Sequence, residues 1–262
     1  NPTGKYINYN FEDNAYPFSL PNLFKDSVTK NGNEGQSSTS MYWQNSTTEV
    51  TVTAATFSLN GALNLEVKTD QSTDINVIAS DHLYMAATSQ SYAEVKNGEE
   101  VTKAAGAINV DFKHLMSKVN LTITLADEFD ADTNPISDVT FQGTVASRNY
   151  NAGTWSDITD VTATDIIPFE DAYTAPTQAN PNATATYEVI LVPQTISSGF
   201  AVQFKIGSRM FKWTSDDAVT LDSGKQYTLE LIAGDEKVGG ASFSSTAWGE
   251  DNNEDDNNIA TE

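Results

Sequence analysis

Residues 107–125 read AINVDFKHLMSKVNLTITL, and the second half of that stretch decides the fold class. Val119, Leu121, Ile123 and Leu125 fall on one side of an extended chain, with Asn120, Thr122 and Thr124 on the other. A side-chain period of two belongs to a strand with one face in a core and one in water. Ile108, Val110 and Phe112 keep the same spacing upstream, and the stretch from Lys113 to Lys118 breaks it.

The alternation recurs along the chain. Val50, Val52 and Ala54 show it, then Leu63, Leu65 and Val67, then Ile75, Val77 and Ala79. Val139, Phe141 and Val145 follow, then Tyr187, Val189 and Leu191, and later Tyr227, Leu229 and Leu231. Thr, Val, Ile and aromatic residues fill these runs, while Gly, Asn, Asp, Ser and Pro fill the gaps, as strands and turns require. A hairpin is legible where Phe200, Val202, Phe204 and Ile206 alternate, Gly207-Ser208 turns, and Arg209-Met210-Phe211-Lys212-Trp213 returns. A two-residue turn opening with Gly suits the II′ geometry. Helical pattern is confined to one short turn, Asn22 to Ser27. The chain reads as all-β, and many short strands with frequent turns imply sandwiches or barrels.

A length of 262 residues suits two domains. The polar, aromatic-free stretch 96–106 is the expected boundary. The division is then an N-terminal β-sandwich over 1–106, a C-terminal β-sandwich over 107–249, and an acidic, disordered tail over 250–262 with six acids and no base. Segments 26–40 and 170–184 read as loops. The chain holds 36 acidic and 14 basic residues, a net charge of −22. Such a surface repels nucleic acid and anionic lipid, which removes both as partners. With 39% hydrophobic and 10% aromatic residues the chain has enough apolar content for packed domains. There is no cysteine, so disulfides and thiolate chemistry are excluded. No apolar run approaches the roughly 20 residues of a membrane helix. A start at Asn1, without Met or a signal region, reads as a mature or trimmed product.

Six pieces of the sequence, in order, resemble the pattern of the fimbrillin-like family of Bacteroidales-type surface pilins and pilus-associated lipoproteins. Ser40-Met41-Tyr42-Trp43 with the strand at 50–55 is the first, and Asp81-His82-Leu83-Tyr84-Met85-Ala86 the second. Phe112-Lys113-His114-Leu115-Met116-Ser117-Lys118-Val119 is similar to the family's F-x-H-x-x-S-K stretch, and Ala152-Gly153-Thr154-Trp155 to its G-x-W turn. Leu221-Asp222-Ser223-Gly224-Lys225-Gln226-Tyr227, with Leu229 and Leu231, resembles a further strand, and Thr246-Ala247-Trp248 a C-terminal tryptophan. The resemblance implies two tandem Greek-key β-sandwich domains of transthyretin-like topology. It also implies export through the outer membrane as a lipoprotein precursor and display outside the cell, at the surface or in a fimbrium. The family's early G-D-x-I-G-V-F strand is absent, and no long apolar strand follows Trp248.

Each candidate for chemistry has a plainer reading. His82 and His114 are the only histidines, and no nucleophile motif accompanies them, so each is expected to be a hydrogen-bonded packing residue at a strand end. With so many acids, some carboxylate pair always falls at a hydrolytic distance, and solvated surface is the default. The run from Asp127 to Asn134 begins like a calcium loop, but Pro135 stands where Gly is needed and Phe141 where Glu is needed. The sequons at Asn45, Asn120 and Asn182 have no machinery in the implied host. Asp26-Ser27-Val28 resembles an O-glycan acceptor, with Ser27 as the modified residue. Trp43, Trp155, Trp213 and Trp248 suit packing better than a sugar platform.

The expectation is therefore no enzyme, with no catalytic, cofactor or metal site. A structural or adhesive surface protein is expected, a fimbrial subunit or an accessory, tip or anchor component assembling with other subunits by β-strand exchange. Host or bacterial surface ligands are further partners, and the membrane is reached only through a lipid anchor on the precursor. The alternative is a surface glycan-binding lipoprotein on a β-sandwich scaffold, and a secreted hydrolase is the third class. Residues 250–262 offer only Ile259 and Ala260 to a partner's groove, which favours an accessory, tip or anchor position over a stalk position.

Overall fold

A computed structural model describes residues 6–8, 28–30, 33–35, 50–55, 63–90, 112–129, 131–151, 153–156, 162–234 and 238–248. The expected helical turn at 22–27, the boundary at 96–106, Ser27, Trp43 and the tail 250–262 lie outside these residues. The first strands are β1 (Tyr6–Asn8), β2 (Val28–Lys30), β3 (Asn33–Gly35), β4 (Val50–Ala55) and β5 (Leu63–Glu66). Helix α1 (Asp74–Ser80), β6 (Leu83–Gln90) and β7 (Lys113–His114) follow. Next come β8 (Ser117–Leu125), β9 (Ile136–Thr144), β10 (Ser147–Asn151), β11 (Thr154–Trp155), β12 (Thr164–Ile166), β13 (Phe169–Thr174) and β14 (Thr184–Leu191). The last are β15 (Gln194–Ile196), β16 (Ala201–Ile206), β17 (Arg209–Thr214), β18 (Val219–Leu221), β19 (Lys225–Ala233) and β20 (Val238–Ala247). The protein is all-β.

Two sheets enclose the main core. One runs β13-β14-β8-β19-β20, and the other β12-β9-β16-β17. In the first, β8 lies antiparallel to β14 and parallel to β19. Val119, Leu121, Ile123 and Leu125 are at most 1% exposed, as their spacing requires, and Tyr187, Val189, Leu191, Tyr227, Leu229 and Leu231 share the same interior. Phe141, Val202, Phe204 and Phe211 of the second sheet complete it. Each such side chain contributes about 1.5–3 kcal/mol by leaving water.

The hairpin is as read, with Ile206 opposite Arg209 and φ of +59° at Gly207 only, the sign pattern of a II′ turn. The broken pattern before Lys118 also has a cause. His114 belongs to a different sheet, β1-β4-β6-β7, and Leu115, Met116 and Ser117 are all buried where the chain crosses into β8.

One expected strand is a helix. Ile75, Val77 and Ala79 alternate, yet Asp74–Ser80 forms α1. Upstream, the Asp70 carboxylate accepts hydrogen bonds from Ser72 N and Oγ, which turns the chain off its bridge to Ile167. With no ladder partner among the described residues, the segment satisfies its backbone internally as a helix. Ser80 fixes the end, donating Oγ to the Asn76 carbonyl and accepting from Lys68 N.

Residues 63–84 strap this region to the sandwich that follows. β5 pairs with β10, Val67 N donates to the Ala146 carbonyl, and Leu65 and Val67 are buried in the common core. Gln71 N donates to the Ile167 carbonyl, and Ile167 N to the Thr69 carbonyl.

Candidate functional site

Four of the six motif pieces converge on one joint. β7 brings His114 beside Asp81, which follows α1, with Nδ1 2.9 Å from the carboxylate Oδ2. Trp248, just past β20, stacks on the His114 ring at a centroid distance of 3.8 Å and an angle of 6°. Below the stack, Leu115 N donates to the His82 carbonyl. Gly224 N donates to the Met116 carbonyl, and Trp248 N to the Gly224 carbonyl. Ser223 Oγ donates to the Leu115 carbonyl and Ser117 Oγ to the Asp222 carbonyl. Gly224 has φ +68°, and a Cβ there would meet the His114 carbonyl at 3.1 Å, so this turn needs glycine.

The histidines have distinct surroundings. His114 has a carboxylate on Nδ1 and an indole on its face, and no hydroxyl is hydrogen-bonded to it among the described residues. In this pair the carboxylate fixes the orientation of the imidazole ring. His82 places Nε2 3.0 Å from the Glu66 carbonyl and Nδ1 out of solvent. Burial pushes its pKa below the ordinary value, against the opposing pull of the Glu66 carbonyl and the Asp81 and Glu66 charges.

The remaining candidates are scattered. Asp127 opens a short 3-10 turn and accepts from Asn182 Nδ2, while Asn134 bonds Glu170 and Ile136 N. Among the described residues no three His, Cys, Asp or Glu side chains are grouped to hold a metal. Asn120 lies on β8 and Asn182 before β14, where Asn182 Nδ2 also donates to the Leu125 carbonyl. Each described tryptophan packs on a protein ring: Trp155 on Tyr150, Trp213 on Phe200 and Trp248 on His114. They do not form one platform.

Two glutamines went unnoticed in the sequence. Gln71 is fully buried, and its amide both donates to the Ile190 carbonyl and accepts from Ile190 N, each at 2.8 Å. Gln194 accepts from Val145 N and donates to the Val192 carbonyl. Each amide stands in for a neighbouring strand where the ladder ends. Gln194 follows the apolar run 189–192 and could have signalled this, whereas Gln71 lies inside the polar run 68–74, which carries no such signal.

Among the described residues β12, β13, β17 and β20 are sheet edges. β20 carries a register irregularity between its pairings with Glu230 and Ile232, and Ser242 to Thr246 are exposed. The irregularity and the Ser and Thr residues of this stretch resist uncontrolled pairing, while Phe243 is its exposed apolar residue.

A family model described as fimbrillin-like matches residues 12–248. No curated protein matches the chain. Among solved structures, a candidate cell adhesion protein from Bacteroides ovatus has a TM-score of 0.50 at 14% identity, covering 72% of this chain and 60% of that one. A second candidate cell adhesion protein, from Bacteroides uniformis, has 0.46 at 17% identity, covering 72% and 66%. A fimbrial protein from Bacteroides vulgatus has 0.39 at 15%, covering 71% and 68%. The chain thus spans under two thirds of the length of the first two.

Proposed function

The chain belongs to the fimbrillin-like family, and from that membership we propose that it is a structural or adhesive protein of the cell surface, a fimbrial subunit or fimbria-associated component. The observation that carries this is the extent of the match, 12–248, which includes the joint and nearly all the described strands. The tandem arrangement of two Greek-key sandwiches divided at 106/107, a transthyretin-like topology and a lipoprotein precursor belong to the same proposal.

Its chemistry is association through strands rather than turnover. Assembly by strand exchange needs an extended segment whose alternating apolar side chains enter a partner's groove. Residues 250–262 supply only Ile259 and Ala260 among six carboxylates, and burying those carboxylates is costly. Stalk, accessory, tip and anchor positions all fall within this proposal, and strand exchange in any of them requires a donor from a segment other than 250–262. Deleting the coding sequence in cells that express the protein is expected to remove it from sheared surface fractions and to reduce adhesion. Unchanged adhesion together with an internal location would defeat the proposal. Purified protein at high concentration is expected to remain free of filaments by electron microscopy. Filaments that vanish on deleting 250–262 would show that the stretch is a donor.

A further inference from the structure

The chain enters β8 and leaves β20 at the same end of the sandwich. Lys118 lies opposite Gln226, Gln226 opposite Thr246, and Lys225 opposite Ala247. β8 is parallel to β19 and β20 antiparallel to it, so tension between residues near 113 and residues past 248 pulls the two exits apart. On that geometry β20 peels from β19 one hydrogen-bonded pair at a time. Such a zipper is weak, because the load falls on one pair and is never shared across the ladder.

We propose that the joint of Asp81, His114, Gly224 and Trp248 is a mechanical latch that carries tension between the two exits and keeps it off the β19–β20 ladder. The Trp248 indole lies flat on the His114 ring, and the Asp81 carboxylate holds that ring at its Nδ1 edge. A second link runs through the backbone, from Met116 to Gly224 to Trp248. Force arriving at His114 therefore reaches Trp248 through the ring stack, in parallel with a series of two peptide hydrogen bonds whose second is the outermost rung beside β19, before the pairs from Lys225–Ala247 inward are loaded. Side-chain bonds from Ser117 and Ser223 brace the Gly224 turn, so the link does not swing open as a hinge. The use of such a latch under tension rests on the proposed role at the cell surface, while its existence does not.

Single-molecule pulling on the full chain tests it, and the absence of cysteine allows unique handles. Lys113→Cys with Glu250→Cys loads the latch. Asp171→Cys with Ser208→Cys loads the sandwich between the exposed edge strand β13 and the hairpin tip, with neither handle attached to a side of the latch. Unfolding under constant load reports the unfolding rate, and Trp248→Ala is expected to raise it about tenfold or more in the first geometry and less than about twofold in the second. Trp248→Phe, which keeps a ring and the backbone bond to Gly224, is expected to fall between, as is Asp81→Asn, and either serves if Trp248→Ala does not fold. Equal acceleration in both geometries would make Trp248 a general packing residue and overturn the latch. So would an unchanged rate in the first geometry. Neither result depends on whether the protein is an adhesin.

Discussion

At the scale of single residues, the two buried glutamines do what no apolar side chain can. Gln71 occupies the edge of β14 where β13 has ended, and its amide closes both backbone groups of Ile190. Gln71→Ala leaves a buried N–H and C=O without these partners, and a loss of about 1–3 kcal/mol is expected. Urea unfolding checks this, with a lower midpoint at unchanged slope. Gln71→Glu is expected to be worse, because a carboxylate would face the Ile190 carbonyl. His82 gives a pH signature. Burial lowers its folded pKa, so below the unfolded value of about 6.5 the unfolded chain takes up a proton that the folded chain refuses. The contribution is fully present above that value and is lost as pH falls through it toward the folded pKa. His82→Gln is expected to flatten the decline in stability between about pH 7 and pH 5.5. An undiminished slope in the variant would assign the decline elsewhere.

Elements show where local pattern suffices and where it fails. β8, β14 and β19 were legible because each alternates within its own length, and a one-residue slip would turn every apolar side chain to solvent. Leu121→Ala is expected to cost about 2–5 kcal/mol, read from denaturant unfolding, since the site is closed on all sides. α1 was misread because Ile78 stands between Val77 and Ala79, so that Ile75, Ile78 and Ala79 fit a helical period as well as Ile75, Val77 and Ala79 fit a strand's. β9 bends at Gly143, where φ is +81° and a Cβ would lie 2.3 Å from the Gly199 carbonyl oxygen. Gly143→Ala therefore meets both a disfavoured backbone and a backbone atom that cannot move aside, and thermal unfolding is expected to place it among the most damaging single changes. The strap is a further case. A fragment of residues 107–262 lacks the partners of β10, Ile167 and Ile190, and is expected to unfold at lower urea than a fragment of residues 63–262. Equal stability would mean that the strap only rests on the sandwich.

For the whole molecule, charge is the governing quantity. A net charge of −22 favours expansion through self-repulsion, while the lysine–carboxylate pairs among the described residues are Lys118–Glu188 and Lys205–Asp138. Partly exposed pairs are worth at most about 1 kcal/mol each, so screening removes more repulsion than attraction. Raising salt from about 0.01 M to 0.15 M shortens the screening length from about 30 Å to 8 Å, and the melting temperature is expected to rise by a few degrees. A fall would mean that specific ion pairs dominate.

Strand character, the hairpin turn, the buried face of β8 and the family were all in the sequence, because each is encoded within a dozen neighbouring residues or in the order of short motifs. Three things waited for the tertiary structure: the helix at 74–80, the two amide-capped strand ends, and the meeting of residues 81, 114, 224 and 248. They share a physical reason. Each depends on which strand lies alongside, over separations of 33 residues for Asp81 and His114 and 119 for Gln71 and Ile190. Periodicity fixes the face a side chain takes, but only the folded chain fixes what that face meets.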